Sequence, residues 1–137
     1  MEKVIEIHSL DELDGVAEAV LASLNGRTVV AFDAPMGAGK TTLISRIAAA
    51  LGCEDDVTSP TFAIVNQYEG SRTVYHFDMY RIERWEEALD FGSEEYLSSG
   101  ELCLVEWPEK IEPLLGDDTM VVKIEILSDT ARRFVIR

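Results

Sequence analysis

The sequence contains few cysteines, few cations and no long apolar run, and each shortage excludes a class of protein. The 137 residues include two cysteines, Cys53 and Cys103, so we expect buried, reduced thiols rather than a disulfide framework or a metal site. No apolar stretch approaches the roughly 20 residues that span a bilayer. Residues 1–14 lack the basic start and apolar centre of a signal peptide, which favours a cytoplasmic protein with no membrane association.

Positive charge is also scarce. The chain has 12 Lys and Arg against 26 Asp and Glu, a formal net charge of −14. Nucleic-acid binding depends on neutralising phosphates with basic side chains, so we expect no stable direct contact with DNA or RNA. A negatively charged ligand must therefore be held by a local arrangement that acts against the overall field.

The length and the even alternation of elements predict a single domain over residues 1–137. Periodicity predicts helices over 9–26, 40–52 and 85–91, the first opened by a capping box of Ser9 and Glu12. Strand character is found in seven segments: 3–7, 28–32, 61–68, 73–80, 102–107, 119–127 and 131–137. The third and fourth form a hairpin. The pattern predicts an α/β domain in which a mixed parallel and antiparallel sheet carries helices on its faces.

The segment APMGAGKT, residues 34–41, lies between a strand and a helix and fits the phosphate-binding loop with alanine for the first glycine. Glycines let the backbone turn its N–H groups toward phosphate oxygens, and the helix N-terminus adds unpaired amides. Lys40 supplies a charge for the β- and γ-phosphates, and the Thr41 hydroxyl is placed to ligate Mg²⁺. A plain glycine turn is the alternative, but it is less specific. We predict nucleotide contacts from Gly37, Ala38, Gly39, Lys40, Thr41 and Thr42.

Two acids follow apolar strands and are candidates for the magnesium side of this site. Asp78 follows TVYHF and Glu106 follows LCLV. Mg²⁺ prefers oxygen ligands, so a carboxylate at a strand end near Lys40 suits it, although solvated carboxylates at strand ends are common. His76, in the alternating strand before Asp78, is interpreted as a core residue or a neighbour of the site.

The segment VTSPTF, residues 57–62, is a third feature. Pro60 fixes the backbone while Ser59 and Thr61 offer hydroxyls, so the segment could sense a γ-phosphate. Taken alone, it is equally typical of a turn that leads into a strand.

Four segments in series resemble the TsaE family, the small ATPases of bacterial tRNA threonylcarbamoyladenosine synthesis. They are MGAGKTTL, VTSPTFAIVNQY, HFDMYRI and LVEWPEKI. The resemblance implies a P-loop NTPase-like three-layer domain that uses ATP and Mg²⁺. It also implies that Lys40 and Thr61 take part in catalysis, Thr61 as a switch-like threonine. Asp78 would be the magnesium-side acid, and Glu106 with Trp107 would lie near the nucleotide. The metal ligands implied are Thr41, Asp78 and Glu106. Ala34 and Pro35 depart from the family pattern.

The family role implied is ATP hydrolysis that supports threonylcarbamoyl transfer to adenosine 37 of tRNA by a complex with TsaB- and TsaD-type proteins. In that scheme the partners carry out the transfer. An acidic chain suits a partner-binding subunit better than a primary tRNA binder.

Other P-loop functions are weighed against this one. A small-molecule kinase usually needs an arginine-rich lid over the phosphates. The predicted elements leave no segment for such a lid, and the only arginines in the middle of the chain are Arg72, Arg81 and Arg84. A regulatory GTPase needs an Asn-Lys-x-Asp guanine reader, which the sequence lacks. A non-catalytic, nucleotide-responsive binding module remains open.

Overall fold

A computed structural model describes residues 2–54, 57 and 65–137. In this part of the chain the strands are β1 (Lys3–Ile7), β2 (Val29–Asp33), β3 (Val65–Glu69), β4 (Thr73–Asp78), β5 (Leu102–Glu106), β6 (Met120–Ile126) and β7 (Arg132–Ile136). The helices are α1 (Leu13–Ala22), α2 (Lys40–Ala50), α3 (Glu86–Asp90) and α4 (Ser93–Leu97), with 3₁₀ segments at Leu10–Glu12 and Pro108–Leu114. None of these helices has the length and apolarity that crossing a membrane requires.

The strands form one sheet in the order β1-β7-β6-β2-β5-β4-β3. The central strand β2 is parallel to both β5 and β6, and β4 is parallel to β5, while the outer pairs are antiparallel. The register pairs Glu106 with Phe32 on one side and with Asp78 on the other. The carboxyl ends of β2, β4 and β5 therefore meet at one edge, the place where open α/β sheets bind ligands.

Apolar side chains cover both faces of the sheet. One cluster joins Val30, Phe32 and Leu104 to α1 and α2, including Val16 and Ile44. A smaller cluster on the other face joins the sheet to α3 and the second 3₁₀ segment, and its members are Phe77, Met79, Ile82, Ala88, Cys103, Val105 and Ile111. Helices thus lie on both sides of a mixed sheet, and the predicted three-layer α/β class is confirmed.

The predicted elements compare closely with those observed. Each of the seven strand segments overlaps an observed strand, β2 and β3 each ending one residue later than predicted, and residues 61–64 of the third segment lie outside the described residues. The first helix begins with a 3₁₀ turn, in which the Glu12 carboxylate accepts the backbone N–H groups of His8 and Ser9 as the capping box predicts. The sequence did not predict α4 or the second 3₁₀ segment. Cys53 and Cys103 pack against opposite faces of the sheet and are not joined.

The turn between β3 and β4 packs against the end of α2. The Ser71 N–H donates to the Leu51 carbonyl at 2.7 Å, which satisfies an acceptor at the helix end. Any Cβ at Gly70 would collide with that same carbonyl, so only glycine permits this approach. The contact fixes the hairpin, and with it the side chains of β4, relative to α2.

Candidate nucleotide-binding site

The glycine-rich loop runs from the end of β2 to the start of α2 and depends on two left-handed glycines. Gly37 has φ 80° and Gly39 has φ 98°, values that strain any residue with a Cβ. Among the described residues only Asn25 and Trp107 combine a side chain with positive φ, so Ala34 keeps an ordinary backbone. The alanine that replaces the first glycine is therefore compatible with this loop.

Lys40, the first residue of α2, is held over the centre of the site. Its side chain is almost wholly covered, with 6% of the residue exposed. The ammonium donates to the Ala34 carbonyl at 3.0 Å and lies 3.5 Å from the centroid of the Trp107 ring, a cation–π distance. Burial lowers the pKa of Lys40, an effect that the nearby carboxylate of Glu106 opposes. An ammonium has three donors, so the bond to Ala34 leaves donors that can reach a phosphate.

Trp107 occupies a strained position directly after β5. Its φ of 58° and ψ of 53° place it in the left-handed region, where it begins the second 3₁₀ segment. This conformation turns the indole over Lys40, and the Tyr80 ring packs against it at 5.1 Å between centroids. A bulky residue held in this region is uncommon and marks functional sites.

Glu106 is the buried acid of the site, with 3% of the residue exposed. The Thr41 hydroxyl lies 3.1 Å from its Oε1 and 3.3 Å from its Oε2, and Oε2 also accepts from His76 Nε2 at 2.6 Å. Because the Thr41 proton points to the carboxylate, the Thr41 oxygen can act as an acceptor toward a cation. The acid adjacent to the predicted metal-binding hydroxyl is therefore Glu106.

Asp78 lies on the neighbouring strand, level with Glu106 in the register. Its Oδ1 accepts the Tyr80 backbone N–H at 3.0 Å, and the residue is half-buried. Burial raises the pKa of Asp78, the Tyr80 N–H opposes this, and the nearby carboxylate of Glu106 raises it further. This carboxylate therefore faces the same space as Lys40 and Glu106 but lacks the direct contact with Thr41 that Glu106 has.

A cavity of about 450 Å³ brings most of the predicted site residues together. Its lining consists of Met36, Gly37, Gly39, Lys40, Thr41, Thr42, Asp78, Tyr80, Glu106 and Trp107. Lys40 is the only cationic side chain among these described residues. Thr61, predicted as a switch-like threonine, lies outside the described residues.

A second cavity of about 430 Å³ opens on the other side of Gly39 and Thr42. Apolar side chains of Leu10, Leu13 and Phe134 form part of its wall. Arg132 stands at this cavity and donates to the Ala38 carbonyl at 3.2 Å, which ties β7 to the loop. Ala38, predicted as a nucleotide contact, faces this second space, and no pattern in the sequence indicated Arg132.

The donor set suits Mg²⁺ held jointly with a ligand. Among the described residues no group of three or more His, Cys, Asp and Glu is arranged to hold a metal by itself. Mg²⁺ is characteristically bound by one or two carboxylates together with substrate phosphates and water. Thr41, Glu106 and Asp78 beside an anion-binding loop fit that description.

Comparisons with known proteins show which family the chain is similar to. The family model described as "Threonylcarbamoyl adenosine biosynthesis protein TsaE" matches residues 7–134. Relatives named "tRNA threonylcarbamoyladenosine biosynthesis protein TsaE" include a Bacillus subtilis protein, 35% identical over 123 residues, with 89% of this chain and 77% of the relative covered. An Aquifex aeolicus protein of the same name is 33% identical over 134 residues, with 96% and 92% covered.

A solved structure is similar over nearly the whole chain. The crystal structure of Bacillus subtilis YdiB superposes with a TM-score of 0.79 at 27% identity, covering 99% of this chain and 84% of the other. The chain therefore has the same overall fold as that structure.

Proposed function

This chain belongs to the TsaE family, and from that membership we propose that it binds ATP with Mg²⁺ and hydrolyses it in support of threonylcarbamoyl transfer to adenosine 37 of tRNA. The observation that carries the ATPase proposal is the convergence of Lys40, Thr41 and Glu106 at the head of the glycine-rich loop. A glycine turn with no ligand gives no reason for a buried lysine and a buried glutamate at one helix N-terminus, since burying two charged groups is costly even when they lie close together.

Phosphate binding falls to the loop and to Lys40. The amides of the loop and of the first turn of α2 point toward an anion, and the helix dipole favours negative charge there. Lys40 adds a charge that burial strengthens, because little water competes with a phosphate for its donors. The second cavity offers a partly apolar space next to the loop in which the nucleoside can lie.

In this proposal Thr41 binds the metal, and Glu106 lies next to it. Bound Mg²⁺ supplies neutralisation of charge on the β- and γ-phosphate oxygens. Glu106 accepts a hydrogen bond from the Thr41 hydroxyl and so orients that hydroxyl, and it adds a negative charge that favours a cation. Asp78 lines the same cavity, and we assign it the orientation of the attacking water.

Partners of the TsaB and TsaD type complete the proposal. Arginine fingers stabilise the charge of phosphoryl-transfer transition states, and the described lining of the cavity around Lys40 contains no arginine. Arg132 lies at the second cavity, where it donates to the Ala38 carbonyl. Residues 58–64, which lie outside the described residues, contain no Arg or Lys in the sequence. A cytoplasmic assembly with basic partners would supply the missing charge and offset the acidity of this subunit.

Calorimetric titration with ATP, with and without Mg²⁺, followed by a phosphate-release assay, tests the proposal. We expect saturable binding strengthened by Mg²⁺, and free phosphate as the product without a phosphorylated small molecule. Transfer of the γ-phosphate to a small acceptor would instead establish a kinase, and binding without turnover under any partner condition would establish a nucleotide-responsive module.

A further inference from the structure

A row of polar side chains crosses the sheet beneath the site, and the proposed mechanism uses only its last members. The Tyr68 hydroxyl on β3 lies 2.9 Å from His76 Nδ1 on β4. His76 Nε2 lies 2.6 Å from Glu106 Oε2 on β5, and Glu106 accepts the hydroxyl of Thr41 on α2. The row therefore connects an outer strand of the sheet to the head of the nucleotide-binding helix.

His76 lies within the fold and does not line the cavity. Its side chain is 0% exposed, while that of Glu106 is 4% exposed. The register pairs His76 with Leu104, two residues before Glu106 on β5, so His76 and Glu106 lie on the same face of the sheet and the imidazole reaches Glu106 diagonally.

The hydrogen-bond directions follow from the chemistry of the groups. An ionised carboxylate can only accept, so Nε2 carries the hydrogen and donates to Glu106. In the neutral imidazole Nδ1 is then the acceptor, and the Tyr68 hydroxyl donates to it. Each ring nitrogen has one partner, which fixes both the ring plane and the tautomer.

We propose that His76 is a positioning residue that holds Glu106 in the orientation facing Thr41, and that Tyr68 sets the orientation of His76. The proposal rests on the proposed function, since it assigns these residues to the magnesium side of the same site. A glutamate side chain has several rotamers, and a donor at Oε2 selects the one in which the carboxylate faces the Thr41 hydroxyl. Groups that orient metal-side ligands in this way tune metal affinity without touching the metal.

A purely structural role for His76 makes a different prediction. If the pair served only to satisfy two buried polar groups, its loss would lower the free energy of unfolding and leave the magnesium dependence of the folded protein unchanged. A positioning role shifts the magnesium dependence in molecules that are folded. The two roles are separated by measuring binding on folded variants.

The test compares His76→Phe, which removes both ring nitrogens, with His76→Gln, which returns an N–H donor near the position of Nε2. The dissociation constant of a non-hydrolysable ATP analogue is measured by calorimetry with saturating Mg²⁺ and with EDTA. We expect His76→Phe to weaken binding about 10- to 100-fold in Mg²⁺ and less than about threefold in EDTA, and His76→Gln to recover most of the loss.

Tyr68→Phe keeps the proposal testable if His76→Phe does not fold. It should weaken binding in Mg²⁺ in the same direction but by less. Tyr75→Phe is its matched control, because Tyr75 faces the other side of β4 and packs against Tyr96 at 4.8 Å between ring centroids. Nitrogen NMR of the metal-free protein should show hydrogen on Nε2 of His76, with the tautomer less fixed in Tyr68→Phe.

Three results separate the possible failures. Folded His76 and Tyr68 variants that bind the analogue in Mg²⁺ as tightly as the parent would overturn the positioning role while leaving the proposed function in place. A His76→Gln variant no better than His76→Phe, with both folded, would overturn it as well. A parent protein that does not bind the analogue would overturn the proposed function itself.

Discussion

At the residue scale, Lys40 carries the positive charge of the site. Lys40→Ala should weaken ATP binding about 10- to 100-fold, because charge-assisted hydrogen bonds contribute roughly 1.5–3 kcal/mol. The fold should persist, since burial lowers the pKa of Lys40 and the charged form is therefore disfavoured in the folded state. Calorimetric titration measures the affinity, with exposed Lys123→Ala as the control. Equal affinity in a folded Lys40→Ala protein would show that the loop does not bind the phosphates.

Substitutions of the two acids, Asp78 and Glu106, should have different effects on ATP binding and on turnover. The family resemblance implies Asp78 as the magnesium-side acid, whereas the contact between Thr41 and Glu106 favours Glu106 in that role. Glu106→Gln should therefore weaken Mg²⁺-dependent ATP binding about 10- to 100-fold. Asp78→Asn should lower kcat while ATP binding stays near that of the parent, the pattern of a group that acts in the transition state.

Steady-state kinetics at several Mg²⁺ concentrations measure both effects. The reverse pattern would return the magnesium role to Asp78. Parental rates in both variants would remove both acids from the site.

The Asp78 carboxylate should also lower the stability of the folded protein by a measurable amount. Burial raises the pKa of Asp78, so its ionised form destabilises the folded state at every pH above that raised value. Without metal or nucleotide, Asp78→Asn should raise the melting temperature at pH 7. The gain should shrink as the pH falls below the folded-state pKa of Asp78 and vanish below the ordinary pKa of an aspartate, because the carboxyl is then protonated in both the folded and the unfolded state. Exposed Asp90→Asn is the control; a gain that is independent of pH would show that burial of the ionised carboxylate is not its cause.

At the scale of elements, the loop before α2 depends on the left-handed conformation of Gly39. A Cβ at Gly39 would meet no other atom within 4 Å, so the loss of stability in Gly39→Ala comes from backbone strain alone. We expect a loss of about 1–2 kcal/mol in the free energy of unfolding, together with weaker ATP binding as the loop relaxes.

Gly15→Ala in α1 is the matched control for this change. Its Cβ also meets nothing within 4 Å, but the position is helical, so the free energy of unfolding should rise by about 0.5–1 kcal/mol. Chemical denaturation measures both variants. A Gly39→Ala protein as stable as the parent would show that the loop does not need the positive φ.

The strands and the loop could be predicted from the sequence because each has a local signal. Apolar runs of strand length predicted β2 and β5, and glycine spacing before a helix predicted the nucleotide loop. Helix α4 and the 3₁₀ segment after Trp107 are too short and irregular for a helical period to show. The strand order was inaccessible too, since β2 pairs with β5 and β6 rather than with its neighbours in the sequence.

The row behind Glu106 was missed for a related reason. Alternation placed His76 and Asp78 on one face of β4, which was the available signal that His76 belongs near the site. It could not show which residue of β5 lies beside His76, because that depends on the register between strands distant in sequence. The sequence of β4 alone is the same whether His76 contacts an acid on a neighbouring strand or is simply a core residue.

At the scale of the whole molecule, a net charge of −14 surrounds the site proposed for an anionic nucleotide. The loop would have to overcome that field locally, and the described lining of the cavity around Lys40 adds no second cation. The same acidity disfavours direct tRNA binding and favours basic protein partners. Slow turnover by the isolated chain and activation by docking are the expected consequences.

The most direct test of partner-dependent hydrolysis is a measurement of phosphate release by the purified chain. It is made for the chain alone, then with TsaB- and TsaD-type proteins, and then with tRNA added. We predict slow hydrolysis alone and a clear rise with the partner proteins, for which a supplied arginine finger could account for up to about 10³–10⁵. Lys40→Ala in place of the parent should abolish the rise. Fast hydrolysis by the chain alone, unchanged by those proteins, would contradict a partner-activated ATPase and indicate a stand-alone phosphotransferase.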